Sequence, residues 1–199
     1  MSEQNIMVQV SNLALTYQSA EGEIEAIRDL SFSVADGEFV SVIGPSGCGK
    51  STLLSIIAGL LSPTAGEIRL AGDGSIGYML QKDSLLDWRT IYSNVLFGLE
   101  IRHMLTQETV DRAVQLLKTY GLYEFKDKYP AQLSGGMRQR AALIRTLAIN
   151  PDILLLDEAF SALDYQTRLT VTEDVYRILK QEAITTVMVT HDIPESISM

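Results

Sequence analysis

The pattern of hydrophobic and polar positions predicts a series of strands and helices along the chain. Apolar and polar residues alternate at 8–17, with one break in register, and alternate cleanly at 30–34, which predicts two strands near the N-terminus. The compact apolar segment 39–43 predicts a third strand, and the apolar residues of 53–60 follow it at helical spacing. The remaining predicted strands are short and lie at 67–70, 76–80, 153–157 and 186–190.

The pattern between residues 83 and 150 is helical instead. Apolar side chains between 110 and 117 recur at the spacing of one helix face. A further helix is expected to start after Ser134 and to run to about 149, and another is expected at 165–182.

Helices that alternate with strands around one central sheet predict an α/β fold with parallel strands. We expect a single domain over residues 1–199. Its α/β core would be formed by 1–82 and 151–199, and residues 83–150 would be a helical subdomain inserted into that core.

The amino-acid composition and net charge limit the classes of protein to which the chain can belong. Hydrophobic residues make up 46% of the 199 residues and charged residues 21%, so the chain can bury a sizeable core. The formal net charge of −9 argues against nucleic acid as a main partner, because phosphate backbones favour clustered Lys and Arg. No run of about 18 apolar residues occurs, so no transmembrane helix is predicted. A role at a membrane would therefore require a separate membrane-embedded partner.

The segment 44–51, GPSGCGKS, has the spacing of a phosphate-binding loop and lies between a predicted strand and a predicted helix. Its glycines let backbone N–H groups converge on phosphate oxygens, and the helix start adds further donors. Lys50 supplies a charge for the β- and γ-phosphates, and the Ser51 hydroxyl is suited to Mg²⁺. An ordinary glycine-rich turn is the alternative, which the complete motif disfavours. The predicted nucleotide-binding residues here are Gly44, Pro45, Ser46, Gly47, Cys48, Gly49, Lys50, Ser51 and Thr52.

Two adjacent carboxylates follow the apolar residues of the predicted strand at 153–157. Ligands bind at the carboxyl ends of strands in open α/β sheets, so Asp157 and Glu158 are expected in the same site as the phosphate loop. We expect Asp157 to orient Mg²⁺ and Glu158 to polarise the water that attacks the γ-phosphate. An isolated Asp-Glu pair is more often a solvated turn, but beside a phosphate loop the functional interpretation is favoured.

A second glycine motif, LSGGMRQR at 133–140, precedes and begins the helix predicted after Ser134. Ser134 is a suitable N-cap, and the N–H groups at Gly135 and Gly136 together with the helix dipole form an anion site. An isolated Ser-Gly-Gly would be interpreted as a simple N-cap with loop glycines. The motif lies far along the chain from the first phosphate loop, which raises the question of what it binds.

These motifs together resemble those of the ATP-binding subunits of ABC transporters, and the resemblance covers nearly the whole chain. The matching segments are GPSGCGKS, LSGGMRQR, ILLLDEAF, the SALD of 161–164 and His191. The resemblance implies a P-loop NTPase core of the RecA-like type, with a parallel central sheet, an N-terminal antiparallel β subdomain and an inserted α-helical subdomain. It also implies a dimer in which the phosphate loop of one subunit faces LSGGMRQR of the other, with ATP between them.

The resemblance assigns roles to further residues. Tyr17 matches the aromatic side chain that stacks on adenine, and a tyrosine that packs on the sheet is the alternative. Gln81 matches the glutamine that contacts Mg²⁺ and the attacking water, His191 matches the histidine that touches the γ-phosphate, and Asp164 belongs to the loop that crosses the dimer interface. The implied catalytic residues are Lys50, Gln81, Glu158 and His191, and the implied metal-binding residues are Ser51, Gln81 and Asp157.

The segment 83–90, DSLLDWRT, resembles the Leu-Leu-Pro-Trp-Arg segment of importers of the nitrate, sulfonate and taurine type, with Asp87 in place of the proline. Its apolar residues suit a surface that contacts a membrane subunit, and local core packing by Leu85 and Trp88 is the alternative. Family members continue with a further strand and helix beyond the histidine, so the resemblance implies a C-terminus shortened at Met199.

The function implied by the resemblance is that of the ATP-binding and ATP-hydrolysing subunit of a bacterial ABC importer. Its cofactors would be ATP and Mg²⁺. Its partners would be a second copy of the subunit, the transmembrane permease subunits and, indirectly, a substrate-binding protein, at the cytoplasmic face of the cell membrane. The alternatives are an exporter subunit, a soluble ABC-type ATPase acting on DNA or ribosomes, which the acidity disfavours, and a nucleotide-binding regulator without turnover.

Overall fold

The computed structural model describes residues 5–19, 22–72, 74–161 and 165–191, which form two β-sheets with helices packed around them. The strands are β1 (Ile6–Ser19), β2 (Gly22–Ala35), β3 (Phe39–Ile43), β4 (Ala65–Leu70), β5 (Ile76–Met79), β6 (Ile153–Asp157) and β7 (Thr185–Thr190). The α-helices are α1 (Lys50–Ile57), α2 (Ile91–Ile101), α3 (Gln107–Thr119), α4 (Gly135–Ala148) and α5 (Tyr165–Glu182), and short 3-10 helices lie at Tyr123–Phe125 and Pro130–Gln132. No helix in these ranges is both long and apolar enough to cross a membrane.

The central sheet has the strand order β3–β7–β6–β5, and each neighbouring pair is parallel. All residues of β6 and β7 are buried, because both strands lie inside the sheet and side chains pack on both of its faces. Ile153 and Leu155 pack against one core, which contains α1, whereas Leu154 and Leu156 pack against another, which contains α2 to α5. The predicted α/β class with a parallel central sheet is confirmed.

The second sheet is antiparallel, with the order β2–β1–β4. The sequence predicts one break in the register of the first strand, whereas β1 has several register shifts against β2. One of them includes Asn12, whose φ of 47° interrupts the extended backbone. The antiparallel β subdomain expected near the N-terminus is therefore present, with a more irregular first strand.

The strands predicted at 67–70 and 76–80 belong to different sheets. β4 pairs with β1, and β5 pairs with β6. The start of β5 is tied to β6 because the Asp152 carboxylate accepts hydrogen bonds from the backbone N–H of Ser75, at 3.1 Å, and from its Oγ, at 2.8 Å. A short connection thus carries the chain from one sheet to the other.

The first predicted helix extends to residue 60, but α1 ends at Ile57. Gly59 has a φ of 71°, a left-handed conformation that terminates helices and that glycine adopts without steric cost. As a result Leu60 lies outside the helix and is exposed.

Residues 83–150, all of which are described, contain α2, α3, α4 and the two 3-10 helices, and no strand. α4 is the most deeply buried of these helices, and Leu143, Ile144 and Leu147 have no exposed surface. They belong to a continuous apolar core that also includes residues of α2, α3, α5 and the parallel sheet. The helical segment therefore shares its core with the sheet.

Asn94, in α2, is a fully buried polar residue that organises the loop 86–90. Its Oδ1 accepts the N–H of Leu86 at 2.7 Å, and its Nδ2 donates to the carbonyl oxygens of Leu86, Arg89 and Thr90 at 3.0–3.1 Å. Both polar atoms of this buried amide therefore have backbone partners, as buried polar groups require, and the two Nδ2 hydrogens are shared among the three carbonyl oxygens. The loop it holds leaves Trp88 75% exposed.

Replacing Asn94 by alanine should destabilise the protein by about 3 kcal/mol, because part-buried backbone groups of Leu86 and Arg89 lose their partner. Urea denaturation, followed by circular dichroism, measures the change. Gln115→Ala, at an exposed position of α3, is the control and should change the free energy of unfolding by less than about 0.5 kcal/mol. Equal stability of the two variants would contradict the structural role of Asn94.

Candidate active site

Strand ends and a helix start meet at the carboxyl edge of the parallel sheet. The loop 44–49 connects β3 to α1, and the N–H of Gly44 donates to the carbonyl oxygen of Thr190, at the end of β7, over 3.3 Å. Gly49 is the N-cap of α1, with a φ of 95°, and provides no side-chain hydrogen bond to the helix start. Backbone N–H groups at the positive end of the helix dipole are therefore available to an anion, an arrangement that suits phosphate.

Lys50 is the first residue of α1, and only 6% of it is exposed. Its Nζ donates to the carbonyl oxygens of Gly44 and Pro45, at 2.8 and 2.9 Å. The same Nζ lies 3.4 Å from Oε1 of Glu158. Two carbonyl dipoles and a carboxylate compensate the buried ammonium, which would otherwise be costly to remove from water. The positive charge is thus held against the phosphate loop.

Asp157, the last residue of β6, uses its two carboxylate oxygens for different partners. Ser51 Oγ donates to Oδ1 at 2.8 Å, and the Tyr78 hydroxyl donates to Oδ2 at 3.3 Å. Burial raises the pKa of Tyr78 to about 12, and the charge of Asp157 acts in the same direction, so the hydroxyl remains a donor at neutral pH. No motif in the sequence includes Tyr78, and its position in the strand that leads to Gln81 is the signal that could identify it.

Glu158 has a φ of 44°, which is uncommon for a residue other than glycine. Its N–H donates to the Val189 carbonyl at 3.0 Å, and its own carbonyl oxygen accepts from the N–H and Oγ of Ser161 at 3.1 and 2.9 Å. The side chain then lies between two basic groups, with Oε1 facing Lys50 and Oε2 at 3.1 Å from Nδ1 of His191. This carboxylate is placed to orient a water molecule and to accept a proton from it.

Gln81 comes two residues after β5, and its Nε2 donates to Ser161 Oγ at 3.2 Å. Ser161 therefore links the segment after β5 to the turn that holds Glu158. In the sequence, Ser161 is recognisable only as part of the segment SALD at 161–164. Its contact with Gln81 spans 80 positions, which no local pattern reveals.

An open cavity of about 450 Å³, a volume within the range of small-molecule sites, is lined by Lys50, Gln81 and Glu158 but not by Asp157 or His191. Tyr17 forms part of its wall, is 40% exposed, and has its hydroxyl 3.2 Å from Oγ1 of Thr52. The predicted site residues that line the cavity are Tyr17, Ser46, Gly47, Gly49, Lys50, Ser51, Thr52, Gln81 and Glu158. Ile24, Glu25 and Ala26 of β2 also line it, and no sequence signal identified them.

Other predicted residues lie elsewhere. Cys48 is exposed and lines another cavity, of about 230 Å³, which shares Gly49 and Lys50 with the first. Asp164 falls outside the described residues. Gly44 and Pro45 reach the site through their carbonyl oxygens, which accept from Lys50.

The second glycine motif does not line the cavity of its own chain. Ser134 is the N-cap of α4, and its Oγ accepts the N–H of Met137 at 3.3 Å. Gly135 and Gly136 are the first two residues of the helix. The start of α4 therefore presents a second set of backbone donors at a helix N-terminus, away from the cavity.

The donors around Asp157 fit a Mg²⁺ ion. This ion prefers oxygen ligands and is usually held by one or two protein groups together with water and phosphate oxygens. Ser51 Oγ and Asp157 Oδ1 place a hydroxyl and a carboxylate 2.8 Å apart, and Gln81 lines the adjoining cavity. Across the described part of the chain, no group of three His, Cys, Asp or Glu side chains is arranged to hold a metal. One hydroxyl and one carboxylate at this spacing suit a metal that is shared with a phosphate ligand.

Comparison with known proteins identifies relatives over most of the chain. Residues 27–161 match the ABC transporter family. The chain is 52% identical over 196 residues to the uncharacterized ABC transporter ATP-binding protein YtlC of Bacillus subtilis, covering 96% of this chain and 75% of that protein. It is 39% identical over 196 residues to the nitrate import ATP-binding protein NrtD of Synechocystis sp., covering 96% and 74%. It is 38% identical over 195 residues to the taurine import ATP-binding protein TauB of Roseobacter denitrificans, covering 94% and 73%.

Solved structures show the same relationship. The dimeric ATP-binding cassette MJ0796, in a post-hydrolysis state bound to ADP and Pi, superposes with a TM-score of 0.80 at 34% identity, covering 96% of this chain and 91% of that chain. The protein cbiO1 from Clostridium perfringens, part of the ABC transporter complex cbiONQ, superposes with a TM-score of 0.82 at 28% identity, covering 96% and 80%. These neighbours confirm the predicted P-loop NTPase fold.

Gly49→Ala should destabilise the protein more than the matched variant Gly47→Ala. Both glycines have positive φ, 95° and 82°, so a Cβ strains the backbone at either position. At Gly49 the Cβ would also lie 2.3 Å from the carbonyl oxygen of Ala26, whereas at Gly47 nothing lies within 4 Å. Urea denaturation without nucleotide should show an additional loss of about 1–3 kcal/mol for Gly49→Ala. Equal losses would show that Ala26 does not restrict the loop.

Proposed function

The chain belongs to the ABC transporter family, and we propose that it is the ATPase subunit that powers an importer of the nitrate, sulfonate or taurine type. The observation that carries the catalytic assignment is the position of Glu158. Its carboxylate lies between Lys50 and His191 in a cavity bordered by the phosphate loop. The names of the taurine and nitrate import relatives support the direction and the type of transport.

In the proposed reaction, the N–H groups of the loop 44–49 and the Lys50 ammonium bind the β- and γ-phosphates of ATP. Glu158 polarises the attacking water, and its contacts with Lys50 and His191 keep the carboxylate oriented. Gln81, which lines the same cavity, positions that water. Ser51 and Asp157 are the residues that would hold Mg²⁺, and the ion would supply charge neutralisation at the phosphate oxygens.

Nucleotide recognition on the adenosine side is assigned to Tyr17. Its ring borders the cavity, and stacking of a base on an aromatic side chain contributes about 1–3 kcal/mol. The hydrogen bond to Thr52, directly after Ser51, ties the tyrosine to the first turn of α1. The phosphate and base ends of the nucleotide would thus be held by adjoining parts of one chain.

Two copies of the chain would enclose the nucleotide. Ser134, Gly135 and Gly136 present anion-binding N–H groups away from the cavity of their own chain, so they suit a γ-phosphate bound by a second copy. A two-fold arrangement forms both sites at once. Hydrolysis removes the phosphate that joins the two halves, which converts the chemical step into separation of the subunits.

The exposed loop 86–90 is the proposed contact with the permease. The alternative for this segment is core packing by Leu85 and Trp88. Leu85 is indeed buried, with 8% of it exposed, whereas Trp88 is 75% exposed. Large exposed apolar residues near the ends of α1 and α2 are Leu60, Leu61, Ile101, Met104 and Leu105. Exposed apolar surface of this kind favours a protein partner, and a permease partner would place the chain at the cytoplasmic face of the membrane.

Glu158→Gln should lower ATP turnover by about 10²–10⁴-fold and leave MgATP binding intact, because the amide fills the same space but cannot accept the proton. Lys50→Ala should lower both turnover and ATP affinity, because it removes the charge on the phosphates. Phosphate release and equilibrium nucleotide binding by purified protein measure the two effects. Glu124→Gln, at an exposed position, should match the unmodified protein. Undiminished turnover in both active-site variants would refute the catalytic assignment.

Trp88→Ala should reduce solute uptake by at least about tenfold while ATP binding stays unchanged, because truncation of an anchoring tryptophan typically weakens an interface by about 2 kcal/mol or more. Uptake of nitrate, taurine and alkanesulfonates by cells carrying each variant is the measurement. Leu169→Ala removes an exposed apolar side chain of α5 and serves as the control. Normal uptake with Trp88→Ala would exclude this loop as the contact, and uptake of none of the solutes by unmodified cells would contradict the proposed importer type.

A further inference from the structure

The segment that follows Gln81 is joined to the start of α4 by an ion pair. Arg138, in the first turn of α4, donates from Nε to Oδ2 of Asp83 at 3.0 Å. The other oxygen of Asp83, Oδ1, accepts the N–H of Leu85 at 3.2 Å. The carboxylate therefore holds the turn after Gln81 with one oxygen and the helix α4 with the other.

The same guanidinium also reaches the residue that precedes the helix cap. Arg138 donates from its Nη1 to the carbonyl oxygen of Leu133 at 2.9 Å. Leu133 is followed directly by Ser134, the N-cap. A planar guanidinium that binds two acceptors holds their relative positions, since its donors have a fixed geometry. The Arg138 side chain thus connects Asp83 to the backbone that directly precedes Ser134.

A second arginine of α4 binds the same turn. Arg145 donates to the carbonyl oxygens of Ser84, at 2.7 Å, and Asp83, at 2.8 Å. Ser84 has a φ of 49°, a left-handed conformation in the turn that offers both carbonyls to this arginine. Contacts at Arg138 and at Arg145, two turns apart on α4, join the turn to the helix as a unit.

We propose that Asp83 and Arg138 are positioning residues that transmit the placement of Gln81 to the phosphate-binding start of α4. A shift of Gln81 against a γ-phosphate moves the turn 83–85, and the ion pair carries that shift to Ser134 and to the N–H groups at Gly135 and Gly136. Contact between Gln81 and the nucleotide of one subunit therefore determines where the start of α4 in that subunit lies. The position of α4 in turn determines how it meets the nucleotide bound by the second copy. This inference rests on the proposed enclosure of ATP by two copies.

A different ion pair, between α3 and α5, links elements of the same core without reaching the site. Arg112 of α3 lies 2.8 Å from Glu182 of α5, and Tyr120 donates to the other oxygen of Glu182 at 3.3 Å. These contacts join the helical segment to α5 without touching Gln81 or the start of α4. Removing this pair is therefore the matched control for removing the Asp83–Arg138 pair.

The test uses the full chain carrying Glu158→Gln, in which slow hydrolysis lets an ATP-bound dimer accumulate. Addition of Arg138→Gln or Asp83→Asn should raise the dissociation constant of the MgATP-bound dimer about fivefold, since the pair is partly exposed and belongs to a network. The increase in this dissociation constant should be no larger in the double variant than in either single variant. Analytical ultracentrifugation measures dimerisation, and a fluorescent ATP analogue measures the affinity of the monomer, which should not change.

Arg138→Lys should recover part of the dimer affinity that Arg138→Gln loses. Lysine keeps the positive charge facing Asp83 but lacks the guanidinium that also reaches Leu133. Glu182→Gln should dimerise like the parent. Parent-like dimerisation of Arg138→Gln, additive effects in the double variant, or an equal loss with Glu182→Gln would each overturn the positioning role. A parent that remains monomeric at saturating MgATP would instead overturn the proposed enclosure of ATP by two copies, and this role with it.

Discussion

The burial of β6 is the constraint on which the site depends. All five residues of this strand are buried, and alternate side chains enter two different cores. Such a strand has no freedom to slip or twist, because any shift by one residue would exchange the contents of both cores. Asp157 and Glu158 therefore leave the sheet at a defined point and in a defined direction. The parallel neighbours on either side end at the same edge, which brings Tyr78, Gln81 and His191 to the same place.

Electrostatic compensation explains how so many charges coexist at that edge. The Lys50 ammonium is surrounded by two carbonyl oxygens and a carboxylate, and the Asp157 carboxylate receives two hydroxyl donors. Each of these polar groups therefore has partners that the fold supplies, as groups removed from water require. The arrangement places the Lys50 ammonium and the carboxylates of Asp157 and Glu158 at one edge of the sheet.

Several elements could be predicted from the sequence because their signals are local. The apolar runs 39–43 and 153–157 became strands with the predicted bounds, and 165–182 became a helix with the predicted bounds. Other features depend on contacts between distant positions. Trp88 and Leu85 belong to one apolar segment, yet hydrogen bonds from Asn94 to the loop are what leave one exposed while the other is buried.

The candidate site shows the same division. The phosphate loop and the carboxylate pair follow strands directly, so their positions at the sheet edge could be inferred from order alone. The pairing of Tyr78 with Asp157 and of Gln81 with Ser161 could not, because each joins side chains about 80 positions apart. The role of the second glycine motif, Ser134 to Gly136, follows from family resemblance rather than from any pattern within the chain, and it remains a prediction.

The core that the helical segment shares with the parallel sheet limits how the two can move. Leu143, Ile144 and Leu147 of α4 lie in one buried core with side chains of α2, α5 and β6, so the described helices and the parallel sheet share a continuous apolar interior. Displacement in such a packed interface takes place by shear, in which side chains slide by small amounts while their contacts persist. A force applied at the exposed loop 86–90 would then be transmitted as a small translation of the whole helical layer, with stiffness set by close packing.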